Sequence, residues 1–264
     1  MRKVFRHESN DDYWDRRWQE ASEDRDFTDM SIYPIFYAEK VVSNPAEAVL
    51  EVGCGLGRVV KHYHARGHKI SGIERSRVAV DRLHETTPGL DIRLASADAL
   101  PFSDAEFDVL LAFGVFHNIE EGVEHSLADC ARVLKPGGRF CISMRPDNIE
   151  MRLNERVWRA RNPQRPASQV RFHKWLTHPA DFAALLSRNG LQVEQTYYAA
   201  NVSLLYRIKM LRDRAADTGT EANRRSSGYR LNRLGRLLHS AMRTVAPYQT
   251  CNVIVFTGRR GDRP

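Results

Sequence analysis

The stretch Val49-Leu-Glu-Val-Gly-Cys-Gly-Leu-Gly-Arg58 decides the fold of this chain. Residues 49–52 predict a buried strand, and the glycines at every second position after it predict a tight turn. Glycine has no Cβ, so its backbone takes positive φ readily and lets a ligand approach the main chain. A helix is expected to begin near Arg58, and the first amides of a helix are free to donate hydrogen bonds. The stretch therefore predicts a nucleotide-binding turn.

The residues around this turn alternate between strand and helix patterns. Strands are expected at 49–52, 69–73, 91–95, 107–113 and 139–144, with helices at 59–66, 77–84 and 123–134 between them. Such alternation is typical of a parallel sheet with helices on both faces. Two further apolar strands, at 191–198 and 252–258, complete a predicted Rossmann-like α/β fold with seven mostly parallel strands.

We expect a single domain over residues 1–264, because no linker-like break interrupts the pattern. Its predicted parts are an N-terminal helical lid (1–44, with helices near 10–18 and 32–42), a cofactor-binding core (45–146), substrate-side loops with a short helix and the sixth strand (147–200), a basic helical insertion (201–250), and the last strand and tail (251–264). The helical insertion is thus expected just before the last strand.

Composition narrows the class of protein. The apolar share is 42%, the charged share 28% and the formal net charge +7, which suits an acidic or phosphorylated partner or an anionic surface. The four cysteines form no CxxC pair, which favours free thiols in a reducing compartment. The first residues carry no apolar signal-peptide core, and no apolar run approaches the ~20 residues that span a bilayer. We therefore expect a cytoplasmic protein. We expect no metal site, because the histidines and carboxylates lack the spacing of metal ligands.

Two carboxylates follow predicted strands beside the glycine turn. In an open α/β sheet, ligands bind outside the carboxyl ends of the strands. Glu74 ends the second strand, where a carboxylate can accept ribose hydroxyls, and Asp98 follows the third, where it can accept from an adenine amine. Together with the turn they predict an adenosine pocket. A nicotinamide dinucleotide site usually has GxGxxG, whereas residues 53–57 read GxGxG.

Four motifs in order carry a family resemblance: VLEVGCGLGR (49–58), GIERS (72–76), ADALPFSDAEFDVLLAFGVFHNI (97–119) and LKPGGRF (134–140). On these the chain resembles the class I S-adenosylmethionine-dependent methyltransferases, in particular the type 11-like members that act on small molecules or glycans. The resemblance implies S-adenosyl-L-methionine as cofactor and methyl transfer to an oxygen, less readily a nitrogen. An RNA methyltransferase is the alternative reading, and a nicotinamide-dependent oxidoreductase a remote third.

The resemblance assigns cofactor roles to residues at four strand ends. Glu51, Gly53, Cys54, Gly55 and Gly57 would hold the methionine half; Glu74 would bind the ribose, with Arg75 beside the adenine; Asp98 and the backbone of Ala99 would recognise the adenine; and Phe113, Gly114 and Val115 would line the methyl-transfer channel.

A general base is needed only if the acceptor is a hydroxyl. His117, just past the fourth strand, is the candidate, because imidazole transfers protons near neutrality. Relatives often carry a histidine one residue later, where this chain has Asn118. His173 and Tyr13 are further candidates for this role, and a structural role for each of the three is an open alternative. Acceptor contacts are expected from Tyr13, Trp14, Arg145 and His173, with Trp14 on an aromatic helix that either covers the ligand or packs on the core.

The basic insertion contains an amphipathic stretch at 229–245. Its apolar stripe comprises Leu231, Leu234, Leu237, Leu238, Ala241, Met242 and Val245. One interpretation, which we favour for the leucines, is a helix packed on the domain. The other is that the arginines meet an anionic acceptor or a membrane surface. Nucleic acid is disfavoured, because FGVFHN at the end of strand four lacks the Asn/Asp-Pro-Pro-aromatic run of enzymes that methylate base amines.

Overall fold

The computed structural model describes residues 1–7, 10–20, 33–162, 170–199, 205, 208–213 and 231–261. The described strands are β1 (Arg2–Arg6), β2 (Ala48–Val52), β3 (Lys69–Glu74), β4 (Asp91–Leu94), β5 (Phe107–Ala112), β6 (Leu134–Met144), β7 (Arg171–Leu176), β8 (Leu191–Ala199) and β9 (Val253–Arg260). The described helices are α1 (Asn10–Glu20), α2 (Ile35–Ala38), α3 (Arg58–His64), α4 (Arg77–Thr86), α5 (Val123–Val133), α6 (Ile149–Arg161), α7 (Pro179–Arg188), α8 (Arg233–Val245) and α9 (Pro247–Thr250).

Seven of these strands form one sheet in the order β4-β3-β2-β5-β6-β9-β8. The pairs β2–β3, β2–β5, β3–β4 and β5–β6 are parallel. The predicted seven-stranded, mostly parallel Rossmann-like sheet is therefore confirmed. The chain order reverses direction across β2 and β5, so the carboxyl ends of these two strands flank the crevice where such sheets bind ligands.

The central strands are apolar along most of their length because both faces of the sheet are covered. Residues 109–112 of β5 are fully buried. Helix boundaries follow local chemistry: Ser76 accepts a hydrogen bond from the amide of Ala79 at the start of α4, and Asn148 accepts one from Met151 at the start of α6. These caps fix where the chain turns back from each strand.

A second, two-stranded sheet is absent from the sequence prediction. β1 pairs antiparallel with β7, with a register irregularity between Val4 and Phe5. Within residues 147–200, loops with a short helix were expected before the sixth strand. That expectation is wrong, since the described part of this stretch contains the 13-residue α6 and the strand β7. The pairing joins segments about 170 residues apart. The local pattern of the charged strand RKVFR does not predict that it pairs with another strand.

Other boundaries also differ from the prediction. The helix expected at 32–42 is the four-residue α2, and β6 begins at Leu134 rather than at residue 139. Residues 8–9, 21–32, 163–169, 200–204, 206–207, 214–230 and 262–264 lie outside the described residues, and with them much of the expected lid and insertion.

The chain divides into two compact units. The first comprises Met1–Arg145, Arg165–Tyr197 and Val255–Pro264, and the second comprises Pro146–Gln164 and Tyr198–Ile254. The first unit holds most of the seven-stranded sheet and the two-stranded sheet. The second holds α6, α8 and α9. The single domain over 1–264 stays a prediction from the sequence.

Helix α8, in the second unit, does not bury its leucines. Leu211 and Leu231 are buried there with Met242 packed against them, but Leu237 is 67% exposed and Val245 84%. The interpretation that the leucine stripe packs on the domain is wrong for most of the stripe. Among the described residues, no helix is both long and apolar enough to cross a membrane.

Candidate functional site

Three positions of the turn after β2 have a backbone conformation and close neighbours that suit glycine. Gly53, Gly55 and Gly57 have φ of 71°, 53° and 82°, in the left-handed region. A Cβ on Gly53 would lie 2.5 Å from Cγ2 of Val115, and a Cβ on Gly55 would lie 3.0 Å from the ring of Trp18. The turn is closed on the sheet side, where the amides of Gly53 and Cys54 donate to the carbonyl of Ile73. Bare backbone therefore lines this end of the crevice.

Glu74, at the end of β3, ties the turn to the start of α4. Its Oε2 accepts from the amide of Gly55 at 2.9 Å, and its Oε1 accepts from the amides of Arg75 and Ser76 at 2.9 and 3.0 Å. A carboxylate offers about four acceptor positions. Three are occupied by these amides, which leaves about one for a ribose hydroxyl rather than the two that the sequence suggested.

Glu51 lies on β2, almost completely buried, and accepts from the amide of Val60 at 3.0 Å. It thereby caps the first turn of α3 from inside the protein. Burial raises the pKa of Glu51 well above its usual value. Burial likewise raises the pKa of the Cys54 thiol, helped by the two nearby carboxylates, so this cysteine is an apolar part of the turn.

Asp98 and Ala99 are exposed in the turn that follows β4. This turn is held close to Glu74, because β3 pairs with β4 and the amide of Ala95 donates to the Glu74 carbonyl at 3.0 Å. From the other side, Asp129 accepts from the amide of Leu100 at 2.6 Å. Glu74 is thus hydrogen-bonded to the glycine turn, and Asp98 follows the neighbouring strand β4. Arg75 is exposed next to them.

Helix α1 lies over the glycine turn. Ser76 donates from its hydroxyl to Asp15 at 2.6 Å, and Arg82 donates to the carbonyl of Trp18 at 2.8 Å. Trp18 stacks on Trp14 with ring centroids 5.1 Å apart, and its Cη2 and Cζ2 atoms would lie 3.0 Å from a Cβ on Gly55. The aromatic face of this helix therefore covers the backbone that was predicted to hold the cofactor.

The end of β5 carries a polar network that sequence reasoning missed. Ser143 accepts from the amide of Gly114 at 3.0 Å, and its hydroxyl is hydrogen-bonded to that of Tyr33 at 2.9 Å. The Tyr33 ring stands perpendicular to Phe113 at 5.6 Å. Burial raises the pKa of Tyr33, so the phenol is neutral. The sequence signal that could have indicated this network is Ser143, a polar residue near the carboxyl end of the apolar strand β6.

His117 lies in the helical turn Phe116–Asn118 that follows β5, with only 6% of its surface exposed. Its Cε1 is 3.7 Å from where a Cβ on Gly114 would lie. Its Nδ1 is buried and, within the described part of the chain, has no hydrogen-bond partner. Burial, and then the positive charges of Arg145 and Lys174, lower the pKa of His117 well below its usual value. The imidazole is therefore neutral and able to accept a proton.

Asn118 has a different task from its neighbour. Its side-chain amide donates to the carbonyl of Gly114 at 2.6 Å, and its backbone amide donates to Val115 at 2.8 Å. These two bonds close the turn that presents the His117 imidazole. The position where relatives often carry histidine is thus structural in this chain.

The predicted acceptor residues come from separate segments. Tyr13, on α1, meets His173, on β7, edge to face at 6.0 Å, and also contacts Trp14 at 5.2 Å. Burial lowers the pKa of His173 to about 3, with contributions from Lys174, Arg6 and Arg145. Arg145 follows β6, and its charge acts on both His117 and His173, so these side chains share one region at the carboxyl edge. No described group of three or more His, Cys, Asp or Glu is arranged to hold a metal ion.

Comparison with known proteins shows that part of this chain is similar to methyltransferases. Residues 50–142 match the model of a methyltransferase domain family. The ubiquinone biosynthesis O-methyltransferase of an Azoarcus species is 32% identical over 48% of this chain and 57% of its own length. The ubiquinone/menaquinone biosynthesis C-methyltransferase of Bartonella bacilliformis is 36% identical over 34% of this chain and 33% of its own.

The matched segments span about half or less of these relatives' length. Among solved structures, a SAM-dependent methyltransferase from Methanosarcina mazei superposes with a TM-score of 0.58 at 14% identity, covering 88% of this chain and 99% of that one. At this identity the similarity concerns the fold.

Proposed function

We propose that this chain, whose residues 50–142 match the model of a methyltransferase domain family, is a class I S-adenosylmethionine-dependent methyltransferase that transfers a methyl group from S-adenosyl-L-methionine to an oxygen of a small molecule. The observation that carries the proposal is the hydrogen bond between the Gly55 amide in the glycine turn and Glu74 at the end of β3, the strand that pairs with β4, after which Asp98 follows. The cofactor supplies a methyl group on positively charged sulfur. The protein's part is to align the acceptor with it and to exclude water.

The cofactor roles follow the positions of the strand ends. In this proposal Glu74 and Asp98 bind the ribose and the adenine, with Arg75 and Ala99 beside the base. Gly53, Cys54, Gly55 and Gly57 give backbone contact to the methionine half, with Glu51 holding α3 behind them. Phe113, Gly114 and Val115 form the opposite wall, which Ser143 and Tyr33 support.

His117 is the proposed general base. A hydroxyl acceptor must lose its proton as its oxygen attacks the methyl carbon, and a neutral imidazole can take it. The His117 Nδ1 is buried and, among the described residues, unpartnered. An unprotonated imidazole at this position favours oxygen over nitrogen as the methylated atom, because only a hydroxyl acceptor has to lose a proton, whereas a neutral amine already has a free lone pair. Tyr13, Trp14, Arg145 and His173 are the proposed acceptor contacts.

The acceptor itself is argued from chemistry and from the relatives. The two relatives named above are quinone-pathway O- and C-methyltransferases by name, and both names concern small molecules. A small organic molecule is therefore the first proposal, and a glycan the second. No described feature favours RNA or a nicotinamide cofactor, and a cytoplasmic location remains a prediction from the sequence.

Replacing Asp98 by Asn is expected to weaken S-adenosylhomocysteine binding about 10- to 100-fold, because hydrogen bonds to a charged group contribute about 1.5–3 kcal/mol. Isothermal calorimetry measures the loss. Asp181→Asn, an equally conservative change on the exposed surface of α7, is the control and should bind like the native protein. Native affinity in Asp98→Asn would remove this residue from the adenine site.

We also propose a peripheral contact between α8 and a membrane surface, within the predicted segment 229–245. Gly235 faces the second unit's own core, since a Cβ there would lie 2.6 Å from the Leu211 carbonyl. A different face carries exposed apolar side chains at helical spacing: Leu234, Leu237, Leu238, Ala241 and Val245. Arg233, Arg236 and Arg243 are exposed on the polar side, and 229–245 contains no acid. Such a helix suits the interface of an anionic bilayer.

For this contact, Leu237→Glu is expected to reduce binding to phosphatidylglycerol-containing vesicles about tenfold or more, because the exposed leucine inserts into the interface and a charged side chain would not. Ser240→Glu adds the same charge to the helix on a polar position and is the matched control, expected to lose much less. Co-sedimentation gives both values. Equal losses, or no binding by the native protein, would contradict the membrane contact.

A further inference from the structure

Ser143 is a polar side chain in the apolar end of β6. It is only 1% exposed, and its neighbours Ile142 and Met144 are also buried. A buried hydroxyl costs free energy unless it is hydrogen-bonded. Its oxygen accepts from the amide of Gly114 at 3.0 Å and is hydrogen-bonded to the Tyr33 hydroxyl at 2.9 Å. The serine therefore joins the end of β5 to the segment just before α2.

Gly114 is held through both polar groups of its backbone. Its amide donates to Ser143, and its carbonyl accepts from the side-chain amide of Asn118 at 2.6 Å. Its φ of 80° lies in the left-handed region, which glycine enters about as readily as the other allowed regions. The glycine itself therefore does little to fix this backbone conformation, and its orientation depends on the two side chains that bond to it.

Gly114 lies beside two parts of the candidate site. The next residue, Val115, faces the glycine turn, since a Cβ on Gly53 would lie 2.5 Å from its Cγ2. Cε1 of His117 is 3.7 Å from where a Cβ on Gly114 would lie. A shift of the Gly114 backbone would therefore move the wall that faces the glycine turn.

Tyr33 is held by the packing around it. Its ring meets the ring of Phe113 edge to face, with centroids 5.6 Å apart. Helix α2, which begins two residues later, buries Ile35 and Ala38 completely. The phenol therefore comes from a packed segment and holds its hydroxyl in place against Ser143.

Resting on the proposed methyl transfer, we infer that Tyr33 and Ser143 are positioning residues for the cofactor. Through the Gly114 backbone they hold the wall at residues 113–115 at the distance from the glycine turn that S-adenosyl-L-methionine requires. Both lie outside residues 50–142, the segment that matches the methyltransferase family, so the family match assigns them no role. The inference therefore adds two residues from separate segments to the control of cofactor affinity.

The test measures the affinity for S-adenosylhomocysteine by calorimetry in single and double variants. Tyr33→Phe keeps the ring and removes only the hydroxyl, and it should bind the ligand about three- to tenfold more weakly. Ser143→Ala leaves the Gly114 amide and the Tyr33 hydroxyl without this partner, and it should lose about tenfold or more. The double variant should bind no more weakly than Ser143→Ala, because the Tyr33 hydroxyl acts through the serine.

Two variants that remove comparable hydrogen bonds elsewhere are the controls. Ser126→Ala removes a buried hydroxyl that donates to the Gly122 carbonyl at 3.1 Å. Tyr248→Phe removes a phenol that donates to the Asp147 carbonyl at 2.8 Å within the second unit. Both should lower the midpoint of thermal unfolding and keep the native affinity for S-adenosylhomocysteine. If the tyrosine–serine pair had a purely structural role, its variants would behave like these controls.

A second readout reports on Gly114 itself. Hydrogen–deuterium exchange is measured without ligand on the peptide that spans residues 111–118. Exchange there should be faster in Ser143→Ala than in the native protein, because the Gly114 amide loses its acceptor. Neither control variant should change the exchange of this peptide.

Native affinity in both Tyr33→Phe and Ser143→Ala would overturn the inference and leave the proposed methyl transfer in place. Additive losses in the double variant would also overturn it, since the two hydroxyls would then act separately. Unchanged exchange of the 111–118 peptide in Ser143→Ala would show that the serine does not act through Gly114. If S-adenosylhomocysteine does not bind the native protein, the proposed methyl transfer fails, and the inference fails with it.

Discussion

Gly53→Ala is expected to abolish S-adenosylmethionine binding, with affinity reduced about 100-fold or more. A non-glycine residue in the left-handed region costs about 1–2 kcal/mol, and Gly53 has φ of 71°. Its new Cβ would also lie 2.5 Å from Cγ2 of Val115, a separation that atoms do not tolerate, so the turn or the opposite wall must move. Both are proposed cofactor contacts, and calorimetry with S-adenosylhomocysteine measures the result.

Gly67→Ala is the matched control for this change. Gly67 has φ of 76°, so the substitution imposes a similar backbone penalty, but nothing lies within 4 Å of the added Cβ. It should lower the midpoint of thermal unfolding and leave cofactor affinity intact. If the two variants lose affinity equally, general destabilisation explains the loss and the turn has no special role.

His117→Gln is expected to lower turnover by about 100-fold or more while leaving cofactor affinity unchanged, because proton transfer is lost and the turn geometry is kept. The pH dependence has a definite sign. The pKa of His117 is depressed in the folded protein, so the imidazole keeps its basic form as pH falls from 8 to 6. A histidine at the ordinary pKa would be about three-quarters protonated at pH 6. Native turnover should therefore show no loss with a midpoint near 6.5.

His125→Gln serves as the control, because His125 is exposed on α5 and has no role in the proposed proton transfer. Its turnover should equal that of the native protein. Release of S-adenosylhomocysteine measures turnover, with the native acceptor once identified. Near-native turnover in His117→Gln would exclude the residue as the base and would favour a structural role.

The glycine turn and the sheet were predictable because their signals are local. Residues 49–58 specify a strand, a turn and a helix start within ten positions, and each conformation follows from nearby residues. Glu74 was located correctly at a strand end because Ile70 and Ile73 mark the strand before it. The number of ribose hydroxyls that it can accept was not predictable, since that depends on amides from Gly55, Arg75 and Ser76 that gather only in the folded protein.

The features that were not predicted from the sequence depend on contacts between residues far apart in the chain. β1 is charged and short, and it becomes a strand only because β7 pairs with it. Tyr33 and Ser143 are 110 residues apart, so their hydrogen bond leaves no pattern in the sequence. The leucine stripe of α8 has the same periodicity whether its face is buried or exposed, which is why burial was predicted and exposure is observed.

The most direct test of the central claim is a calorimetric titration of the native protein with S-adenosylhomocysteine and, separately, with NAD. Both ligands contain an adenosine, so a generic nucleotide-binding turn would accept either. We predict saturable one-to-one binding of S-adenosylhomocysteine and no measurable binding of NAD at the same concentrations. Binding of NAD without binding of S-adenosylhomocysteine would contradict it.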